Sequence, residues 1–134
     1  MILVSGCLLG ICCRYDGLSR PDDKIIEMAS FRRLLPVCPE QLGGLPTPRS
    51  AAYLCGGDGF KVLEGSARVL TVDEGRDVTE QFLKGARECQ RLATIFGARE
   101  AILKGKSPSC GLTDKVGVTA AALILSGVKV TEAG

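Results

Sequence analysis

Ile2-Leu3-Val4-Ser5-Gly6-Cys7 is the stretch on which the fold turns. Ile2 to Ser5 is a short apolar run without polar alternation, and Gly6 ends it. It reads as a buried first strand that opens into a polar, glycine-bearing loop reaching Arg20. Working outward, Pro21-Asp22-Asp23 offers a helix start. The apolar residues Ile25, Ile26, Met28, Ala29, Phe31 and Leu34 keep helical spacing, which predicts an amphipathic helix over Asp23 to Arg33. Leu35-Pro36-Val37 follows as a short strand, its proline being unusual away from a sheet edge.

Cys38 to Ser50 holds Pro39, Gly43, Gly44, Pro46 and Pro48, too many breakers for a regular element, and reads as a structured loop. Lys61 to Leu63 and Ala67 to Thr71 alternate around Glu64-Gly65-Ser66, predicting a β-hairpin, with Gly56, Gly57 and Gly59 serving the turn before it. Asp77-Val78-Thr79 supplies N-cap candidates for a long helix over Glu80 to Phe96, stopped by Gly97, with a buried stripe of Phe82, Ala86, Cys89, Ala93 and Phe96. Glu100 to Leu103 reads as a strand, Lys104 to Lys115 as a loop, Val118 to Ser126 as a helix closed by Gly127, and Val128 to Val130 as the last strand. Strand and helix alternate. The expected fold is therefore α/β, a single Rossmann-like domain over residues 1–134, with a mainly parallel sheet flanked by helices plus a small β-hairpin.

Composition bounds the chemistry. The 134 residues include seven cysteines and no histidine, with 17 Lys+Arg against 15 Asp+Glu. Without histidine, Ser-His-Asp and Cys-His nucleophiles, HExxH sites and His-ligated haem are closed to this chain acting alone. A net charge of +2, with its cations scattered, argues for small molecules rather than nucleic acid as partners. No apolar stretch reaches the ~18 residues of a membrane span. Leu3-Val4-Ser5-Gly6-Cys7 imitates a lipoprotein cleavage box, but too few residues precede Cys7 for an apolar signal segment. An odd cysteine count without an export signal points to the reducing cytoplasm, where thiols serve metals, catalysis or packing.

In an open parallel sheet, ligands gather outside the carboxyl ends of the strands. The loops predicted at that edge begin at Gly6, Cys38 and Lys104, and each brings a cysteine, Cys7, Cys38 or Cys110. Far apart in sequence, the three meet at one edge of this fold. Three thiolates without a fourth protein ligand suit a 4Fe-4S cluster with one iron open. Two plainer readings stand beside it: three ordinary buried cysteines, or a zinc site completed by Cys12 or Cys13. Side chains of adjacent residues seldom point at one metal, which counts against Cys12 and Cys13 as ligands. Cys89 falls on the long helix's apolar stripe, and Cys55 reads as packing. Gly105-Lys106-Ser107 fails as a phosphate loop because Glu100 stands where its first glycine should, and Pro108 follows.

Cys7-Leu8-Leu9-Gly10, Arg14-Tyr15-Asp16-Gly17, Val37-Cys38-Pro39-Glu40, Gly43-Gly44, Thr47-Pro48-Arg49, Asp77-Val78-Thr79, Leu103-Lys104 and Ser107-Pro108-Ser109-Cys110-Gly111 occur in this order. Together they resemble the bacterial domain-of-unknown-function family 523, which includes the thiouracil desulfurases, across nearly the whole chain. The resemblance implies a 4Fe-4S cluster on Cys7, Cys38 and Cys110, whose open iron takes sulfur from a small thiolated substrate. It also implies a catalytic acid at Glu40 and a catalytic hydroxyl at Ser107. Arg14, Arg49 and Lys104, with Lys106, lie in the same loops and are candidates for holding substrate or offsetting thiolate charge, whereas Tyr15 and Asp16 read as braces of the first loop. One departure stands out. Only Leu112 to Val116 separates Gly111 from Gly117, shorter than the family usually has, which implies a more open pocket.

Overall fold

The computed structural model describes every residue from Met1 to Gly134. β1 (Ile2–Ser5) lies in the middle of a sheet, with Leu3 and Val4 fully buried. Its unbroken apolar character follows from covering on both faces. Leu3 packs in one layer with Cys89, Ala93, Ala120 and Leu123, while Ile2 and Val4 pack in the other with Leu8 and Ile25. After β1 come a 3-10 turn (Gly6–Leu9), α1 (Asp23–Met28), β2 (Leu34–Val37), α2 (Pro39–Leu42), β3 (Ala52–Cys55), α3 (Gly59–Glu64), β4 (Arg68–Thr71), α4 (Thr79–Phe96), β5 (Glu100–Lys104), α5 (Val118–Leu125) and β6 (Lys129–Ala133).

The strand order is β2-β1-β5-β6, all parallel, with Ser5 opposite Val37 and Val4 opposite Ile102. From β1 the chain crosses to β2 on one side, and later returns to β5 on the other. The loops leaving β1 and β5 therefore diverge, opening a crevice at their carboxyl ends. β2 is an edge strand, which is why Pro36 is tolerated there. The fold is thus α/β, a mainly parallel sheet flanked by helices, with a separate two-stranded antiparallel pair of β3 and β4.

Several boundaries differ from the sequence expectations. Lys61 to Leu63 is not a strand but part of α3, which Asp58 caps by accepting from the Lys61 amide at 3.1 Å, and which Gly65 ends at φ 86°. The partner of β4 is instead Ala52–Cys55, so the antiparallel pair is joined through a helix rather than a tight turn. Three alternating residues are too few to separate strand from helix by period. The first helix stops at Met28 and its final turns loosen, leaving Phe31 exposed. The loop after Cys38 contains α2, started by Pro39 at its first position, where a missing N–H costs nothing. On α4, Phe82, Ala86, Cys89 and Ala93 are buried as expected, but Phe96, the last residue before the Gly97 cap, is 47% exposed.

Two glycine contacts fix the loops that matter. Gly43 and Gly85 let α2 lie directly on α4: a Cβ on Gly43 would strike the Gln81 carbonyl, and one on Gly85 the Pro39 carbonyl. A Cβ on Gly117 would likewise strike the Ser109 carbonyl, so the chain before α5 lies against the turn that carries Cys110.

Candidate metal centre

The carboxyl edge of β2, β1 and β5 encloses a cavity of about 280 Å³. All eight residues singled out from sequence line it: Cys7, Cys38 and Cys110, Glu40 and Ser107, and the cations Arg14, Arg49 and Lys104. Cys7 and Cys110 are buried and Cys38 is half-buried. Cys7 is the second residue of the turn after β1, Cys38 is the residue before α2, and Cys110 lies in the turn between β5 and α5. No disulfide forms among the seven cysteines.

Two of the three sulfurs have hydrogen-bond donors of their own. The Ser5 and Ser109 hydroxyls stand 3.5 and 3.6 Å from the Cys110 Sγ, and Arg49 Nη2 stands 3.8 Å from the Cys38 Sγ. The buried Cys13 shares an apolar cluster with Cys7, against which Cys38 packs, and its carbonyl accepts from the Cys38 thiol at 3.5 Å. Contact with Cys13 lowers the Cys7 pKa, against the effect of burial. The Cys38 thiol is raised by its contact with Cys13 and by burial. Burial pushes Cys110 up to about 11, although the Ser5 and Ser109 hydroxyls oppose it. A metal held by these thiols would displace their protons, as thiolate ligation does generally. Burial lowers Lys104, and the nearby Cys7 opposes that shift; its ammonium is held by the carbonyls of Gly105 and Gly134 at 2.8 and 2.9 Å.

Glu40 is clamped. Its Oε1 accepts from Arg49 Nε at 2.9 Å, with side-chain exposures of 13% and 5%. The same guanidinium donates to the carbonyls of Pro46 and Cys13 and to the Thr47 hydroxyl. Arg49 thus spends its donors on the protein, an outcome that its sequence position did not reveal. Glu40 Oε2 accepts from the Ser109 hydroxyl at 3.0 Å, and Ser109 Oγ lies 3.0 Å from Ser107 Oγ. Ser107 Oγ also accepts from the amides of Ser109 and Cys110, both at 3.2 Å. Its remaining proton is free to point at Ser109, giving a chain Ser107 to Ser109 to Glu40. Arg14 pairs with Asp16 at 3.4 Å and lies 5.7 Å from the Tyr15 ring centre, so those two neighbours brace it.

Ser5 and Ser109 carry no reading of their own in the sequence, and Cys13 enters there only as an alternative to Cys12 in completing a zinc site. Ser109 carried a signal, since it sits between the Ser107 and Cys110 of one short block. Cys13 was passed over because it adjoins Cys12; the structure turns Cys12 outward and buries Cys13.

The donor set fits an iron-sulfur cluster. The candidate ligands are soft sulfurs from three loops, polar donors aim at those of Cys38 and Cys110, and a cavity lies between them. No three Cys, Asp or Glu side chains lie close enough together to hold a single ion.

Sheet, crevice and thiol-rich edge define an α/β protein with three cysteines gathered at the carboxyl ends of its parallel strands. The chain belongs to the 2-thiouracil desulfurase family, whose model matches residues 2–133. It is 45% identical over 111 residues to the uncharacterized protein YbbK of Bacillus subtilis (strain 168), covering 83% of this chain and 73% of that one. It is also similar to the solved structure of the 4Fe-4S-dependent thiouracil desulfidase TudS (DUF523Vcz). That match has a TM-score of 0.83 and 36% identity, over 98% of this chain and 89% of that one. No helix is long and apolar enough to cross a membrane.

Proposed function

We propose that this chain, acting as one unit across residues 1–134 in the reducing cytoplasm, removes sulfur from a thiolated pyrimidine of the 2-thiouracil type. The reaction is hydrolytic and involves no net redox: a C=S bond gives way to C=O, oxygen comes from water, and sulfur leaves as hydrosulfide. Cys7, Cys38 and Cys110 would hold a 4Fe-4S cluster. When bound, that group supplies a soft Lewis acid for the substrate's sulfur.

The protein's own residues do the rest. Glu40, held in one position by Arg49 and Ser109, faces the cavity and takes the proton of the attacking water or passes one to the departing sulfur. Ser107 orients water or substrate and shares its proton with Glu40 through Ser109. Arg14 and Lys104 offset the negative charge of three thiolates and hold the polar edge of the ring, while Arg49 serves Glu40 first. The observation that carries this reading is the meeting of three cysteines and a clamped carboxylate around one cavity at the sheet's switch point. Family membership and the likeness to TudS support it.

The test is anaerobic. Protein purified without oxygen is expected to contain iron and inorganic sulfide and to release sulfide from 2-thiouracil. Glu40→Ala should keep the iron and lose at least tenfold in sulfide release, within the ~100-fold or more that acid–base groups contribute. Unchanged release would remove Glu40 from the mechanism. Iron without release in the parent protein would leave a cluster-binding module instead of an enzyme.

A further inference from the structure

Ser5 closes the apolar run of β1 with a hydroxyl, and the reaction just described makes no use of it. The residue is buried, so its oxygen and its proton must both find partners within the protein. The oxygen accepts from the Lys104 amide at 2.8 Å, which ties together the carboxyl ends of β1 and β5. The proton is left for Cys110 Sγ, which stands 3.5 Å away.

The other donors near the sulfurs have competing duties. Ser109 stands 3.6 Å from the same Cys110 sulfur, but it has a single proton, and the Glu40 carboxylate at 3.0 Å is the stronger acceptor. Arg49, 3.8 Å from Cys38 Sγ, also serves Glu40, Thr47, Pro46 and Cys13. Ser5 has no second acceptor to serve. Resting on the cluster ligands assigned above, we propose that Ser5 is a positioning residue: its hydroxyl, aimed by the Lys104 amide, donates O–H···S to Cys110 and sets the reduction potential of the cluster. A thiol sulfur accepts weakly, whereas the thiolate that ligates iron accepts a charge-assisted bond, so the donor stands ready before loading. A hydrogen bond to a ligand sulfur favours the more negative, reduced state of a cluster, and this one therefore raises its potential.

The experiment compares the parent protein with Ser5→Ala, which removes the hydroxyl, Ser5→Thr, which restores it, and Ser109→Ala. Each is measured first without cluster, by hydrogen exchange at the Lys104 amide. All four are then reconstituted anaerobically, assayed for iron and sulfide, and titrated under electron paramagnetic resonance. Faster exchange at Lys104 is expected in Ser5→Ala alone, and unchanged exchange there would overturn the aiming contact. Equal iron content is expected throughout, with the Ser5→Ala potential shifted to a more negative value, Ser5→Thr returning towards the parent, and Ser109→Ala shifted less than Ser5→Ala. A Ser5→Ala potential equal to that of the parent would overturn the proposal, as would a Ser109→Ala shift of the same size or larger. Loss of iron in either Ser5 variant, or a shift that threonine does not reverse, would also overturn it, since Ser5 would then act through packing. A parent protein that takes up no cluster would instead overturn the ligand assignment on which the proposal rests.

Discussion

The turn that carries Cys38 and the turn that carries Cys110 leave strands on either side of β1 and face one cavity, yet different forces hold them. The Cys38 turn is held by backbone packing and by charge. Gly43 and Gly85 bring α2 into direct contact with α4, and Arg49 bridges Glu40, Cys13 and Cys38. The Cys110 turn shares one such close approach, Gly117 against the Ser109 carbonyl, but most of what holds it is a set of hydrogen bonds. The amides of Val118, Thr119 and Ala120 donate to the carbonyls of Pro108 and Ser109, Ser107 caps two amides, and the Glu132 carboxylate takes Leu112 and Thr113. Those three α5 amides would otherwise lack partners at a helix start, so the turn and the helix satisfy each other. A turn fixed by packing has no slack. One fixed by several hydrogen bonds loses them singly.

Substitutions should expose that contrast. Arg49→Ala is expected to do most damage, because it leaves Glu40 half-buried without its cation: about 3 kcal/mol or more in denaturant unfolding, and loss of sulfide release. Gly85→Ala comes next, at about 1–3 kcal/mol. In an ordinary helix interior this change would stabilise by roughly 1 kcal/mol, so a lowered melting temperature would report the collision with the Pro39 carbonyl, and a raised one would refute it. On the other side, Ser107→Ala removes one cap and should cost about 1 kcal/mol of stability, while sulfide release falls with the broken proton chain. Glu132→Gln should do least, about 0.5–1 kcal/mol, with faster amide exchange confined to Leu112 and Thr113. Equal losses on both sides would erase the distinction.

The same contrast governs what could be read from the sequence. β1 was legible because burial on both faces leaves a run with no other explanation, and α4 because eighteen residues give the helical period room to repeat. From those elements the edge where Cys7, Cys38 and Cys110 gather followed by topology. The β3 to β4 region was misread, since its elements are short, although Asp58 before α3 and Gly65 after it were present as start and stop signals. In the site, Glu40 and Ser107 came from resemblance to a family rather than from spacing. The Arg49 clamp, Ser109 and Cys13 depend on contacts between residues far apart in sequence, which no local pattern encodes.

The most direct test of the whole account is an iron and sulfide assay on anaerobically isolated parent protein beside single Cys7→Ser, Cys38→Ser and Cys110→Ser variants. The parent should hold both elements in 4Fe-4S proportion, and each variant should lose most of them while keeping its secondary structure by circular dichroism. Undiminished iron in any one of the three would contradict the assignment of that sulfur and, with it, the single cluster shared by three loops.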